Sequence, residues 1–297
     1  MSQSKKQIVI AVVGDIHDQW DEQDELALQH LGVDLVLFVG DFGNESVEVV
    51  GKIAAVEIPK AAVMGNHDAW YSASSWGRQK APYDRTKEDR VQQQLDLLGK
   101  AHVGFSKQDF SALGLSVVGS RPFSWGGSTW RNKEFYRDRY NINSFEESID
   151  CIVTSAKEAD SDTIIIIAHN GPYGLGDKPE SICGRDWKTE GGDYGDPDLQ
   201  SAIAKIRGLG KSIPLVTFGH MHHALKYPVG KRRTIVEVKE DIVYLNAACV
   251  PRVVNKGGDT KRSFSLVSLD GGTVREISLV WLNSDFAIES EELLYRV

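Results

Sequence analysis

The strongest constraint on the fold is a series of short apolar runs, rich in Val and Ile, that helical patterns separate along the chain. Runs of this length without polar interruptions are typical of strands that are covered on both faces. The helical patterns between them carry polar caps or terminal glycines. Their alternation with the runs predicts an α/β architecture. The runs occupy residues 8–13, 34–39, 61–64, 115–119, 163–168 and 214–218, and the helical patterns occupy residues 21–32, 86–99 and 143–159.

The last third of the chain has a different pattern. Strand-like segments follow one another with turns between them, and the stretch LDGGTV at 269–274 is a hairpin signal. This pattern predicts a second, mostly antiparallel sheet. Segment 184–198 is rich in Gly and Asp and is predicted to be a long loop, a kind of segment that is often functional inside a compact domain.

The composition fits one large domain and disfavours some classes of function. Of the 297 residues, 41% are hydrophobic, which is enough for a substantial core. The net charge of -8 argues against a general nucleic-acid binder, which usually presents a basic face. It leaves room for a small anionic substrate at a local positive site.

The cysteines and the first residues bear on localisation. Cys151, Cys183 and Cys249 are scattered and form no CxxC pair, so we expect a reducing compartment and a cytoplasmic protein. No run approaches the roughly 18 apolar residues of a membrane span. The start, MSQSKKQIVIAVVGD, has two lysines before an apolar run, as a signal peptide does. Because no small-residue cleavage site follows that run, we predict a strand instead.

Candidate metal ligands follow five of the apolar runs. Glycine precedes several of them, at points where the chain must turn sharply and approach its neighbours closely. The carboxyl ends of strands are where open α/β sheets place their sites. The candidates are Asp15 and His17 in GDIH, Asp41 in GDFGN, Asn66 and His67 in GNHD, His169 in AHNGP, and His220 and His222 in GHMHH.

The spacing of these residues favours a shared site over coincidence. The pairs Asp15/His17 and His220/His222 are two residues apart, which points both side chains the same way in an extended chain. A single GD turn or a single HxH is more often structural. If all five stretches had only a structural role, it would be unexplained why five of the eight histidines lie at the ends of predicted strands.

The motif series resembles the calcineurin-like metallophosphoesterase superfamily. The motifs run from residue 14 to residue 222. The resemblance implies a four-layer α/β/β/α sandwich, with two mixed sheets flanked by helices, in a single domain over 1–297. Cap or loop insertions are expected around 70–110, 121–145 and 171–198. The stretches GSRPFSWGG, AHNGP and GRDW are similar to a subgroup of that superfamily known from cyanobacteria and plants.

The resemblance also implies a dinuclear metal site. One ion would take Asp15, His17, Asp41 and His222, and the other Asp41, Asn66, His169 and His220, with Asp41 bridging. Mixed imidazole and oxygen ligands suit Mn²⁺, Fe²⁺/Fe³⁺ or Zn²⁺. Two divalent ions carry four positive charges and the two aspartates two negative ones, so the site would be about +2 and attract a phosphate ester. Such a pair can activate a bridging water as hydroxide.

His67 is expected to have a different role from its neighbour Asn66. As the next residue it points elsewhere, and as an imidazolium it could donate to a phosphate oxygen or protonate the leaving group. The alternative is a structural histidine at a tight turn. In the phosphoprotein-phosphatase branch GD is followed by VDRG, whose Asp supports this His. Here Asn44 stands at that place and the Arg is missing, so a protein phosphatase of that type is disfavoured.

Further residues are candidates for substrate contacts. Arg121 at a strand end could grip phosphate, or form a surface ion pair. Asn170, beside His169, could contact substrate, or bond its own loop. Asn44 is a third candidate. Five tryptophans between the motifs could form an aromatic wall for a flat group, although packing in the core or under loops is the commoner fate. They are Trp70, Trp76, Trp125, Trp130 and Trp187.

The leading hypothesis is therefore metal-dependent hydrolysis of a small, nucleotide-like phosphodiester or phosphomonoester. No membrane or long nucleic acid is expected as a partner. A protein phosphatase is one alternative, and a scaffold that kept the fold but lost catalysis is another. A scaffold should have lost ligands, whereas all seven and His67 are present in this sequence.

Overall fold

The protein was analysed as a computed structural model, which describes residues 7–297 apart from the side chain of residue 256. Seven α-helices and thirteen strands lie in this part of the chain. The helices are α1 (Glu22–His30), α2 (Val47–Ala55), α3 (Ser75–Lys80), α4 (Arg90–Leu98), α5 (Lys133–Tyr140), α6 (Phe145–Lys157) and α7 (Pro197–Gly208). The strands are β1 (Ile8–Val13), β2 (Leu35–Phe38), β3 (Lys60–Ala62), β4 (Lys107–Phe110), β5 (Leu115–Gly119), β6 (Thr163–Ile167), β7 (Ser212–Phe218), β8 (Val236–Lys239), β9 (Ile242–Asn246), β10 (Val253–Lys256), β11 (Asp259–Asp270), β12 (Thr273–Leu282) and β13 (Ile288–Arg296).

The strands form two mixed sheets. The first has the order β13-β12-β11-β1-β2-β3, with β10 paired to β11, and the second has the order β4-β5-β6-β7-β9-β8. In the first sheet β1, β2 and β3 are parallel, and in the second β5, β6, β7 and β9 are parallel. The strand predicted at the start of the chain is β1, and the preceding residues 1–6 lie outside the described part.

The apolar runs alternate their side chains between two layers. In β1, Ile10 and Val12 face the core between the sheets, while Ala11 faces the outer core. In β6, Ile165 joins the core between the sheets and Ile166 the core on the other face. Helices α1, α2 and α4 cover the first sheet, and α6 and α7 cover the second. The result is the α/β/β/α sandwich expected above.

The prediction of a separate antiparallel sheet in the last third is wrong. Strands β8 and β9 extend the second sheet, and β9 pairs in parallel with β7. Strands β11 to β13 extend the first sheet, because β11 pairs with β1. The predicted hairpin is present, with Asp270 opposite Thr273 across Gly271 and Gly272.

Helix boundaries differ from the predicted ones by a few residues. The predicted Thr cap at Thr86 is replaced by Asp89, whose side chain accepts from Gln92 N and starts α4. The segments proposed as insertions hold α3, α4 and β4 in 70–110, α5 in 121–145, and only the start of α7 in 171–198. Within residues 7–297, no helix combines the length and apolarity that a bilayer crossing requires.

Candidate metal centre

The loops that follow five parallel strands meet at one edge of the sandwich. They follow β1, β2 and β3 of the first sheet and β6 and β7 of the second. Backbone hydrogen bonds join neighbouring loops: His17 N donates to Asp41 O at 2.9 Å, and Gly219 N donates to His169 O at 2.8 Å. The parallel arrangement therefore brings all five sequence motifs together.

Four of the gathered residues have left-handed backbone conformations. Their φ angles are 51° for Asp15, 44° for His17, 57° for Asp41 and 66° for His220. Residues other than glycine rarely adopt this region, and each instance costs on the order of 1–3 kcal/mol. Such strain concentrates at functional sites, where the surrounding structure holds it in place.

Two glycines permit the close approach of the loops. A Cβ on Gly65 would lie 2.3 Å from Asp41 Oδ1, and one on Gly219 would lie 2.2 Å from Asp15 Oδ2. Both distances are shorter than any side chain tolerates. The glycines in GNHD and GHMHH are therefore needed for the carboxylates to reach their positions.

A first cluster consists of Asp15, His17 and His222. Asp15 Oδ1 lies 3.3 Å from His222 Nε2 and 3.9 Å from His17 Nε2, and the two imidazole nitrogens are 3.3 Å apart. Asp15 Oδ2 accepts the backbone N–H of His220 at 2.9 Å. Asp15 Oδ1 is buried and has no hydrogen-bond partner among the described residues. A buried carboxylate oxygen without a donor, next to two imidazole nitrogens, fits a cation.

A second cluster consists of Asp41, Asn66, His169 and His220. His169 Nε2 lies 3.2 Å from Asp41 Oδ1 and 2.9 Å from Asn66 Oδ1. His169 Nδ1 lies 2.9 Å from Val39 O, so the Nδ1–H donates there and Nε2 faces the cluster. The ring of His220 packs edge-on against His169 with centroids 5.0 Å apart.

Asp41 lies between the clusters. Its Oδ1 faces His169, while its Oδ2 is 3.9 Å from His67 Nε2. A carboxylate oxygen of Asp41 also lies within 4.8 Å of an imidazole nitrogen of His17, which belongs to the first cluster. The position suits a carboxylate with one oxygen for each of two ions.

Burial and charge set the protonation of the site in the absence of metal. Burial raises the pKa of Asp41, but the charges of His169 and His67 outweigh it and hold that pKa well below its ordinary value. Burial lowers the pKa of His220 to about 3, so this imidazole is neutral. Burial also lowers the pKa of His169, but the charge of Asp41 outweighs burial and raises this pKa to about 9. A metal ion would therefore displace a proton from His169.

His67 faces the same space and is held from two sides. Its Nδ1 lies 2.6 Å from Asn44 Oδ1, so the Nδ1–H donates to the amide and Nε2 is directed toward Asp41. Trp70 stacks on the imidazole, with centroids 4.4 Å apart and planes at 16°. Burial lowers the pKa of His67 below its ordinary value. Asn44 thus contacts His67, as the sequence suggested.

Arg121 does not reach this site. It is 3% exposed, and its guanidinium donates to Asp198 Oδ2 at 2.8 Å and to Asp196 Oδ1 at 2.9 Å. Its planar group also lies over the ring of Trp130. Since every direction around the guanidinium is taken by protein, we do not include Arg121 among the proposed substrate contacts.

Asn170 is also interior. It is fully buried, and its Nδ2 donates to Tyr194 O at 2.9 Å. This bond joins the loop after β6 to the loop that precedes α7, so Asn170 does not make the bond to its own loop that was weighed against substrate contact from the sequence. We do not propose it as a substrate contact either.

Asp68 is a positioning residue that the sequence analysis did not single out. Its buried carboxylate accepts three backbone N–H groups: Gly65 N at 2.6 Å, Phe42 N at 2.8 Å and Asp41 N at 3.0 Å. It therefore ties the GD loop to the GNHD loop. The signal was its place directly after His67, in a stretch already marked as functional.

A cleft of about 550 Å³ opens over the clusters. Three of the five candidate tryptophans, Trp70, Trp125 and Trp187, line it together with Tyr194. The other two do not: Trp130 is buried against Arg121, and Trp76 lies outside the cleft, 55% exposed. Other lining residues are Arg131, Lys226, Asp186, Arg233, Met221 and Ala224.

A family model described as calcineurin-like phosphoesterase matches residues 8–224. Among solved structures, a dimetal phosphatase from Danio rerio is similar with a TM-score of 0.50 and 11% identity, over 98% of this chain and 99% of that one. The protein TT1561 of Thermus thermophilus is similar with a TM-score of 0.51 and 11% identity, over 89% of this chain and 99% of that one. These likenesses concern the fold. No curated protein sequence matches the chain.

Proposed function

The chain belongs to the calcineurin-like phosphoesterase family, and from this premise we propose that it is a dinuclear, metal-dependent hydrolase of small phosphate esters. The observation that supports this most is the position of Asp41, whose two carboxylate oxygens face different neighbours. Around it stand the other residues of an oxygen and imidazole donor set.

We assign the ligands to two ions. The first would be held by Asp15, His17, Asp41 and His222, and the second by Asp41, Asn66, His169 and His220. The donor set fits this assignment, since Asp15 Oδ1 is buried without a donor and His169 Nε2 is directed inward by Val39 O. Mn²⁺, iron or Zn²⁺ suits these ligands. When bound, the ions would acidify water and neutralise charge on the phosphoryl group.

His67 is the proposed proton donor. Its Nδ1 is occupied by Asn44, which leaves Nε2 as the nitrogen that faces the site. From there it can donate to a phosphoryl oxygen or to the leaving group. Trp70 keeps the ring from rotating, so the donor stays aimed during the reaction.

The cleft favours a small substrate. Its volume of about 550 Å³ is in the range of small-molecule sites. A protein phosphatase of the VDRG type would carry an Asp where this chain has Asn44. A scaffold without catalysis would not need an imidazole held in one tautomer beside the ligands.

Metal add-back tests this proposal. The protein would be stripped of metal, supplied with Mn²⁺, Fe²⁺, Zn²⁺ or Mg²⁺, and assayed on a chromogenic phosphodiester and the matching monoester. We expect metal-dependent turnover that Asp41→Asn abolishes. The His67→Ala variant should keep its metal, and its kcat should be lower by about 10²–10⁴-fold. Turnover that is equal with and without metal, or undiminished in both variants, would contradict the proposal.

A further inference from the structure

The part of the cleft outside the metal ligands is lined by two groups of aromatic rings. It begins at His67, on which Trp70 stacks. Trp125 stacks in turn on Trp70, with centroids 5.3 Å apart and planes at 20°. On the far side, the ring of Tyr194 lies parallel to His220 at 6.4 Å, and Trp187 packs edge-on against Tyr194 at 4.7 Å. Two aromatic arms thus lead away from the site, one from the proton donor and one from a metal ligand.

A glycine pair joins the two arms. Gly127 N donates to Tyr194 O at 2.8 Å. Gly126 and Gly127 have φ angles of 71° and 82°, and a Cβ on Gly127 would lie 3.0 Å from the Tyr194 ring. Side chains at these positions would clash with Tyr194. The two glycines after Trp125 therefore let the backbone of this segment pack closely against Tyr194.

Two basic side chains also line the cleft. Arg131 and Lys226 both line it, both are exposed, and neither forms a salt bridge with any residue in 7–297. Asp186, a carboxylate of the same lining, is already paired with Arg233 at 3.4 Å. A chain of net charge -8 thus presents unpaired positive charge beside aromatic rings at this opening.

We propose that the substrate carries a planar heteroaromatic ring linked to the scissile phosphate through a spacer such as a sugar, together with a second anionic group, as a nucleotide with more than one phosphate does. This inference rests on the proposed function and names the substrate class for it. Indole rings that line a cleft, such as those of Trp125 and Trp187, bind such rings by stacking, and unpaired basic side chains at the rim bind additional phosphate oxygens. An alkyl phosphate without a ring would not stack on these aromatic side chains.

Catalysis and ring recognition can be tested separately. Thymidine 5′-p-nitrophenyl phosphate and methyl p-nitrophenyl phosphate share one leaving group and differ only in the nucleoside. We expect kcat/KM to be at least about tenfold higher for the thymidine ester. Trp125→Ala and Trp187→Ala should reduce this ratio to within about threefold of unity, and the ratio cancels any effect of these variants on the chemistry that both esters share. Trp281→Ala, at a half-buried tryptophan on β12 that does not line the cleft, is the matched control and should keep the full ratio.

A binding measurement makes the test independent of turnover. Calorimetry on the Mn²⁺-loaded protein would compare the 5′-phosphonate analogue of thymidine monophosphate, whose P–C bond resists hydrolysis, with methylphosphonate. The nucleoside ligand should bind at least about tenfold more tightly, and Trp187→Ala should remove the difference. Equal binding, or equal kcat/KM with active enzyme, would overturn the ring assignment while leaving the hydrolase intact. Absent turnover with preferential nucleoside binding would instead count against the proposed function alone.

The second anionic group has its own comparison. The analogue of thymidine diphosphate in which methylene groups replace both the 5′ oxygen and the oxygen between the phosphorus atoms should bind more tightly than the monophosphate analogue. The double variant Arg131→Gln/Lys226→Gln should abolish this gain of about tenfold. Arg137→Gln, an exposed arginine away from the cleft, should leave it unchanged. A gain that survives the double variant would overturn the role of the two cations.

Discussion

At the level of single residues, the neighbour of His67 sets how strongly the imidazole holds its proton. Asn44 accepts the Nδ1–H but carries no charge, and burial lowers the pKa of His67. As a proton donor, His67 must be protonated, so activity should fall as the pH rises through this lowered pKa. The alkaline limb of kcat should therefore lie at a lower pH than an ordinary histidine would give.

Replacing Asn44 tests this relation. A carboxylate at that place favours the imidazolium, so Asn44→Asp should move the alkaline limb of kcat upward by about one pH unit. Asn44→Ala, which only removes the acceptor, should lower kcat without an upward move. The pH profile of kcat at saturating substrate is the measurement. A limb that stays in place in Asn44→Asp would contradict the role of His67.

His169 gives a second prediction at this scale. Without metal, the charge of Asp41 overcomes burial and raises its pKa to about 9, so the ring is protonated at neutral pH. Metal binding must expel this proton, and the apparent affinity should rise with pH up to about 9. Calorimetry in buffers of different ionisation enthalpy should detect the release of about one proton from this residue at neutral pH. Proton release that is unchanged in Asp41→Asn would contradict the assignment of the cause.

At the level of elements, the loops after β2 and β3 depend on one carboxylate. Asp68 accepts the backbone N–H groups of Asp41, Phe42 and Gly65. Because an amide offers one acceptor oxygen instead of two, Asp68→Asn leaves a buried N–H unpaired, which costs about 1–3 kcal/mol. The loops would then hold the ligands less firmly.

We expect Asp68→Asn to weaken metal binding by about 10–100-fold. Metal titration and urea unfolding would measure the two effects. The exposed Asp96→Asn on α4 is the control and should change neither. Normal metal affinity in Asp68→Asn would show that the loops hold their geometry without this carboxylate.

At the level of the whole molecule, the end of β5 is joined to the start of α7 through Arg121. The guanidinium lies between the buried carboxylates of Asp196 and Asp198. Ser124 also donates to Asp196 Oδ1, and Ser148 donates to Asp198 Oδ2. Removing the cation would leave two buried carboxylates without their partner.

Arg121→Ala should destabilise the protein by about 3–5 kcal/mol. The exposed pair of Arg137 with Asp138 is the control, since Arg137→Ala should leave the free energy of unfolding nearly unchanged. Chemical denaturation measures both. If Arg121 contacted substrate instead, the variant would keep its stability and show a raised KM.

Features of the site that depend on residues close together in the sequence could be predicted. The GD, GNHD and GHMHH stretches carry both the turn and the ligands within a few positions, so the meeting of Asp41, Asn66 and His220 could be expected once parallel strands were inferred. The role of Asp68 could not be predicted, because its partners are backbone N–H groups and these leave no pattern in the side chains.

Features that depend on distant partners could not be predicted in this way. The carboxylates that bury Arg121 lie more than seventy residues further along the chain. Similarly, β11 pairs with β1 across most of the chain, and nothing local in its alternation distinguishes that partner from a strand of a separate sheet. Long-range pairing decides both cases.

Two ions are proposed to share Asp41, and metal stoichiometry tests this proposal most directly. Metal-free protein would be titrated with Mn²⁺ by calorimetry, with bound metal counted by elemental analysis after dialysis. We predict two ions per chain in the natural sequence, one in His222→Ala, which alters only the first cluster, and weakened binding of both in Asp41→Asn. A single ion in the natural sequence, or two undiminished sites in Asp41→Asn, would contradict the account.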